Sequence, residues 1–399
     1  MTGAGGGQVS RVAVARCDTY AKDTMRSAVE GMLETLGGMG AFVRAGERIA
    51  LKPNLLLAKP PQAAITTHPY LVEVVAELVR EAGGEPVLIE SSAAGMPQFD
   101  RGMERVLRKT GMREMADRIG LEVDVGGETR AVSRPEAQLT KRLDLLTSAL
   151  DADGLISLAK FKTHTFTTFT GAVKNLFGCV PGLTKAGYHA KLSDVDHFAD
   201  MLLDVHQALR PRLSLMDGIL ALEGDGPGTG GTPRQLGLLL ASADAFALDA
   251  VACRIAGIPE EAVPVLRRAR VRGHRGWANG ENEIVLHGLD RLPLEPFRRP
   301  KRALDPTGYN TTGRLQRIVR ELGKQALTPR PRPSTERCTG CRTCSRACPV
   351  GAIRMSGRLA IISDDRCIRC YCCHELCPEA AIDLELSRLG RVAERLGLV

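Results

Sequence analysis

Aromatic residues are scarce in this chain, at 4% of 399 residues with a single Trp. A surface that stacks nucleic-acid bases needs aromatics interleaved with cations, and neither that pattern nor a recognition motif is present. Nucleic acid is therefore not an expected partner. No apolar run approaches the ~18 residues of a membrane-crossing helix, and Met1–Ser10 is Gly-rich without the apolar stretch of a secretory signal. These absences predict a cytoplasmic protein with no membrane partner. The formal net charge of +8 then points to an anionic small molecule or an Arg-rich surface. Part of the excess lies at Arg298, Arg299, Lys301, Arg302, Arg330 and Arg332, a pattern that reads as solvated linker.

Cysteine, by contrast, is plentiful. Eight cysteines fall into two matching runs: Cys338, Cys341, Cys344 and Cys348 before Pro349, then Cys367, Cys370, Cys373 and Cys377 before Pro378. The spacing C-x2-C-x2-C-x3-C-P wraps a [4Fe–4S] cube, and the fourth Cys of each run ligates the other cluster. The expected sets are therefore Cys338, Cys341, Cys344 and Cys377, and Cys367, Cys370, Cys373 and Cys348. A pair of zinc knuckles is the alternative, but four ligands per site would require neither the third Cys nor the Cys-Pro in both runs. The repeat extends beyond the cysteines: Ala347-Cys-Pro-Val-Gly-Ala-Ile353 matches Leu376-Cys-Pro-Glu-Ala-Ala-Ile382, so each half offers an Ile to a shared small core. Residues 335–386 thus resemble bacterial two-cluster ferredoxins, with Cys372 as an extra free thiol, small buried hydrophobe or alternative ligand. In a reducing compartment Cys17, Cys179 and Cys253 are expected to stay free.

The rest of the chain is long enough for one large α/β domain or two lobes. Apolar runs of buried-strand type at 11–17, 48–57, 85–90, 154–159, 213–216 and 237–240 alternate with helical periods at 23–36, 69–82, 194–209 and 244–256. This alternation predicts a mainly parallel sheet with helices on both faces. Residues 1–10 read as a flexible N-terminus, 11–327 as the α/β part, 328–334 as a linker and 387–399 as a tail. Within 298–334 a helix is predicted over 313–326. Thr328-Pro-Arg-Pro-Arg-Pro-Ser334 reads as a stiff, extended tether.

Polar residues gather where the strands end. Lys52 and Asn54 flank Pro53, so they project into a crevice or serve as a surface Lys and a turn Asn. His68 precedes Pro69 at a helix start, where it is either an N-cap or a ligand to the same crevice. Lys160-Phe-Lys-Thr-His164, followed by Gly171-Ala-Val-Lys-Asn-Leu-Phe-Gly178, is the densest constellation. Cations and backbone N–H groups around a Gly-rich turn suit an anion, although the G-x-x-x-x-G-K-[ST] phosphate loop is absent. A solvated basic loop is the alternative, opposed by the interleaved Phe161, Phe166, Phe169 and Phe177. Asp217-Gly218 and Glu223-Gly-Asp-Gly-Pro-Gly228 form an acidic, Gly-rich stretch suited to acid–base work or a divalent cation, or simply a flexible loop. Asp249, inside an apolar helical stretch, is either solvated or a buried partner of one of the Lys residues.

Together Leu51-Lys-Pro-Asn-Leu-Leu56, Lys162 to His164, Lys174-Asn175 with Gly178, Asp217-Gly218 and Asp249 resemble the motif series of the DUF362 family. That family often carries a C-terminal ferredoxin module, so the resemblance implies architecture more than a reaction. The Lys-Pro and His-Pro elements show a looser similarity to the N-terminal domain of nickel-pincer lactate racemases. The expected activity is an iron–sulfur oxidoreductase with two [4Fe–4S] clusters and a redox partner protein. Lys162, His164, Lys174 and Asp217 are its candidate catalytic groups, and Lys52, Asn54, His68, Asn175 and Gly178 hold the substrate or a further cofactor. The competing expectations are an electron carrier or assembly partner without catalysis, and a racemase-like metal-cofactor enzyme with regulatory clusters.

Overall fold

The computed structural model describes residues 10–91, 99–125, 127–192, 194–274, 283–301, 328–387 and 391. Among the described residues up to 301 the strands are β1 (Arg11–Arg16), β2 (Arg48–Pro53), β3 (Glu85–Ile89), β4 (Glu122–Asp124), β5 (Thr129–Ser133), β6 (Arg142–Leu146), β7 (Gly154–His164), β8 (Thr168–Phe169), β9 (Leu213–Gly224), β10 (Gly231–Ser242) and β11 (Glu283–His287). One sheet runs in the order β11-β1-β10-β9-β7-β2-β3-β4, with β8 paired to β7 off this path, while β5 and β6 form a separate ribbon. β10 is antiparallel to both neighbours, β1 and β9; the other pairs along the path are parallel.

Both faces of the sheet are covered, which is why its strands read as continuous apolar runs. Val12, Val14, Ala50, Val87, Ile89, Leu238 and Leu240 point into one core with Phe198, Leu202, Leu248 and Val251. Their neighbours Ala13, Ala15, Ile49, Leu51, Leu88, Leu239 and Ala241 point into the other, against Met25, Val29, Leu71, Val75 and Met115. The period of two divides each strand between two helical layers. Helices Val195–Leu209 and Ala245–Ile255 start at Asp194 and Asp244, whose carboxylates accept from the backbone N–H groups of the first turn. Pro69 opens helix Pro69–Glu81, where its fixed φ and missing N–H cost nothing.

Three strands extend beyond their expected ends. β7 continues from Ala159 to His164, β9 from Met216 to Gly224, and β10 spans Gly231–Ser242. Lys160, Lys162 and His164 therefore belong to a strand, not to a loop after it. Buried polar partners on neighbouring elements make this extension possible. The helix expected over 313–326 lies outside the described residues.

The segment read as a stiff, extended tether is extended and also bonded in place. Arg330–Pro333 pairs antiparallel with Ile382–Glu385, and Arg330 and Arg332 both reach Asp364. Proline is tolerated there because a two-stranded ribbon leaves edge positions without a ladder bond. A hairpin of Ile353–Ser356 and Leu359–Ile362 completes the C-terminal part. Its small core joins Ile353, Ala360, Ile362, Ala381 and Ile382, so both Ile residues of the repeat meet.

This C-terminal part docks on the carboxyl ends of β2, β7 and β9. Ala347 and Leu376 pack with Leu57, Ala64, Ile65 and Leu222 in one apolar seam. Thr229 donates to the Cys377 carbonyl at 2.7 Å, and His374 Nε2 lies 3.0 Å from the Asp225 carbonyl. Among the described residues no helix is long and apolar enough to cross a membrane.

Candidate active site beneath an iron–sulfur domain

The eight cysteines sort into two cavities by the crossed pattern. One, of about 320 Å³, is lined by Cys367, Cys370 and Cys373 with Cys348 from the first run. The other, of about 350 Å³, is lined by Cys338, Cys341 and Cys344 with Cys377 from the second. Ala352 N–H donates to Cys348 Sγ at 3.1 Å and Ala381 N–H to Cys377 Sγ at 3.2 Å. Such donors favour anionic sulfur and tune a cluster. Each cavity thus gathers four of the eight cysteines of the two runs, the ligand number of a [4Fe–4S] cluster.

Below the docked domain lies a crevice walled on one side by Cys372, Glu375 and Leu376. Its opposite wall carries Lys52, Asn54, Glu90, Lys174, Asn175 and Gly178, with Lys185 and His189 beside them. Five of the residues expected from sequence therefore meet in one place: Lys52, Asn54, Lys174, Asn175 and Gly178. Lys52 at the end of β2 pairs with Glu90, just beyond β3, at 2.7 Å. Asn175 donates to the Lys52 carbonyl at 2.9 Å and to Ser157 Oγ at 3.1 Å, while Asn54 donates to Asn175 Oδ1 at 3.2 Å. Gly178 leaves the room that this packing needs, since a Cβ there would sit 2.4 Å from Lys52 Nζ.

Asp249 explains how the turn bearing Lys174 is held. It is neither solvated nor paired to a lysine; it accepts from the backbone N–H groups of Ala172 at 2.6 Å and Val173 at 3.2 Å. Burial raises its carboxyl to about 7, and those two donors oppose the shift. The Lys174 side chain makes no hydrogen bond among the described residues, and burial pushes its amine down. Burial likewise lowers Lys185 to about 8 and His189 to about 3. His189 is thus a neutral imidazole near pH 7, and its Nδ1 has no hydrogen-bond partner among the described residues.

The remaining expected residues stand behind this wall. Lys162 is buried and donates to Asn54 Oδ1 and to the Ile65 carbonyl, both at 2.7 Å, so it fixes a crevice residue from below. Burial, then the nearby Lys174 and Lys160, push its amine well down. His164 Nδ1 accepts from Phe166 N–H at 3.0 Å and lies 3.6 Å from Glu375. The 3.6 Å separation is beyond hydrogen-bond distance.

Asp217 anchors a separate buried knot. It binds Lys160 Nζ at 2.7 Å, Tyr20 Oη at 2.7 Å and His68 N–H at 3.0 Å. The His68 ring stacks on Tyr20 at 3.7 Å and caps its helix by accepting from Tyr70 N–H at 3.3 Å. Burial keeps His68 neutral, lowered to about 4. Asp217 and His68 do not line the crevice. The acidic stretch is also engaged: Glu223 pairs with Arg234 and Arg298, and Asp225 accepts from Lys301 N–H at 2.8 Å.

The docking interface gives a first testable consequence. Gly228 lies against the second cysteine run, where an added Cβ would sit 2.2 Å from the Glu375 carbonyl oxygen. Gly228→Val is expected to lift the domain and speed amide hydrogen exchange over 372–377, with the sheet unaffected. Exchange equal to wild type would show that the contact does not hold the domain.

A 4Fe-4S binding domain matches residues 331–354. The chain is 39% identical over 260 residues to a thylakoid-associated protein of Synechocystis sp., covering 65% of this chain and 78% of that one. The lactate racemase apoprotein from Thermoanaerobacterium thermosaccharolyticum aligns at 12% identity with a TM-score of 0.40, covering 62% of this chain and 57% of that structure. The domain of unknown function DUF362 matches residues 49–254, and by that match and the Synechocystis relative this iron–sulfur chain belongs to the DUF362 family.

Proposed function

We propose that the protein is an iron–sulfur oxidoreductase in which two [4Fe–4S] clusters pass electrons to or from an anionic small molecule held in the crevice. One observation carries this reading: Cys372 lines both the cavity of Cys348, Cys367, Cys370 and Cys373 and the crevice of Lys174 and Lys185. Only the thickness of one residue separates a cluster site from a ligand site. Bound clusters supply one-electron chemistry.

The chain's own residues supply the rest. Lys52 pairs with Glu90, Lys185 donates to Ser91 Oγ at 2.7 Å, and Lys174 feels the charge of Glu375 across the crevice. Lys174 meets the anion with its unengaged ammonium, and Lys185 carries a proton that it can release near pH 8. His189 offers a neutral imidazole as donor or acceptor. The docked domain covers the opening and limits water. The redox partner is a separate protein, and a reducing cytoplasm suits both the thiolates and this chemistry.

The test is anaerobic purification followed by mass analysis of the co-purifying small molecules. Losing one charge-assisted contact costs about 1.5–3 kcal/mol, or roughly tenfold to over a hundredfold in affinity. Lys174→Ala should therefore lose the bound anion while keeping iron and fold. Wild-type affinity should hold below pH 8 and fall above it, because Lys185 deprotonates there. Equal ligand occupancy in Lys174→Ala and wild type would instead support a carrier without a substrate.

A further inference from the structure

The two cluster sites are not equivalent toward solvent. The site sharing Cys372 with the crevice is the inner one. The outer site has the exposed Cys341 among its ligands, and its rim is built by residues 338–342, whose Arg342 lines the cavity mouth. Arg346 N–H bonds back to the Arg342 carbonyl at 3.1 Å, so the two arginines are one helical turn apart. Arg358 belongs to the facing hairpin: its carbonyl accepts from Cys338 Sγ at 3.1 Å, and its Cα lies 3.1 Å from where a Cβ on Gly340 would sit.

Charge is sorted along this domain as well. Residues 335–363 carry Arg337, Arg342, Arg346, Arg354 and Arg358 against Glu336, whereas residues 364–386 are mainly acidic. Most of the paired acids are engaged away from the outer rim: Asp364 holds Arg330 and Arg332, and Asp383 holds Arg337. Arg342, Arg346 and Arg358 are exposed and make no ion pair among the described residues. Glu379 also lines the outer cavity and opposes them, leaving the rim with a net positive charge.

We infer that this rim, Arg342, Arg346 and Arg358 around the outer cluster site, is the docking surface for an acidic one-electron carrier protein. This rests on the redox reading above. Exposed, unpaired arginines steer an acidic partner and fix its register more than they add raw affinity. They place its redox group against the exposed edge of the cluster site farther from the crevice. One electron leaves the carrier, oxidising it by one, and the iron–sulfur domain is reduced by one. No bond is made or broken.

The experiment uses the full chain, anaerobically reconstituted, mixed with a reduced, strongly acidic flavodoxin over a range of ionic strength. The wild-type second-order rate constant should fall steeply as salt rises. In an Arg342→Glu, Arg346→Glu, Arg358→Glu variant it should be about ten- to a hundredfold lower at low salt, with the salt dependence lost or reversed. Reduction by photoreduced deazariboflavin, which is small and uncharged, should be the same for both. A variant reduced by flavodoxin at the wild-type rate overturns the proposal. So does a wild-type rate that salt leaves unchanged, a measurement that stands even if the variant fails to fold. Co-sedimentation with anionic phosphatidylglycerol vesicles that the variant loses, with unchanged flavodoxin kinetics, would assign the rim to a membrane surface instead. Wild-type protein that deazariboflavin cannot reduce would overturn the redox reading itself.

Discussion

Cys348→Ala is expected to remove the cluster of the other run, the one held by Cys367, Cys370 and Cys373, and to leave that of its own run intact. The reason is geometric: Cys348 lines the second-run cavity, and Cys377 lines the first-run cavity. Each cube contains four irons and four sulfides, so reconstituted wild type should hold about eight of each per chain, and Cys348→Ala or the reciprocal Cys377→Ala about four. Electron paramagnetic resonance of the reduced variants should show complementary losses. Cys348→Ala losing the cluster of Cys338, Cys341 and Cys344 would contradict the crossed assignment, and zinc without sulfide would contradict clusters altogether.

Lys160→Ala is the substitution expected to cost most in stability. Lys160 and Asp217 are 1% and 0% exposed at their side chains and 2.7 Å apart. Desolvation lowers the lysine's proton affinity, and the carboxylate restores part of it. Removing one partner of a buried pair strands the other charge and costs about 3–5 kcal/mol, whereas replacing both with apolar groups of similar size is often close to neutral. Denaturant unfolding should therefore show a large loss in Lys160→Ala and a smaller one in the double variant Lys160→Met, Asp217→Leu. Equal losses in the two would mean that packing, not the charge left behind, sets the cost.

The contrast between these two sites explains what the sequence made legible. Cluster ligands are local: each of the eight cysteines lies within four residues of another, and the duplicated Cys-Pro identifies the crossing. The sheet was legible wherever apolar runs are unbroken. Its strands appeared to stop at Lys160 and Asp217 because a charge in a strand normally marks an exit to solvent. Here the two charges satisfy each other across 57 positions of sequence, which no periodicity displays. Lys185 and His189 were missed for a related reason. They are four apart on helix Gly182–Lys191 and share one face, a pattern common to solvated helices. The apolar seam that seats the cysteine domain was equally hidden, since Leu57, Ile65, Leu222 and Leu376 are ordinary apolar residues until they meet.

The central claim is that electrons cross the Cys372 wall between the inner cluster site and a ligand held by Lys174. The most direct measurement is anaerobic stopped-flow reoxidation of the reduced protein by the anionic small molecules extracted from freshly purified wild type, followed by visible absorbance. The account predicts rapid reoxidation of wild type and a rate at least about tenfold slower in Lys174→Ala at equal iron content. Reoxidation at the same rate in both proteins would contradict it.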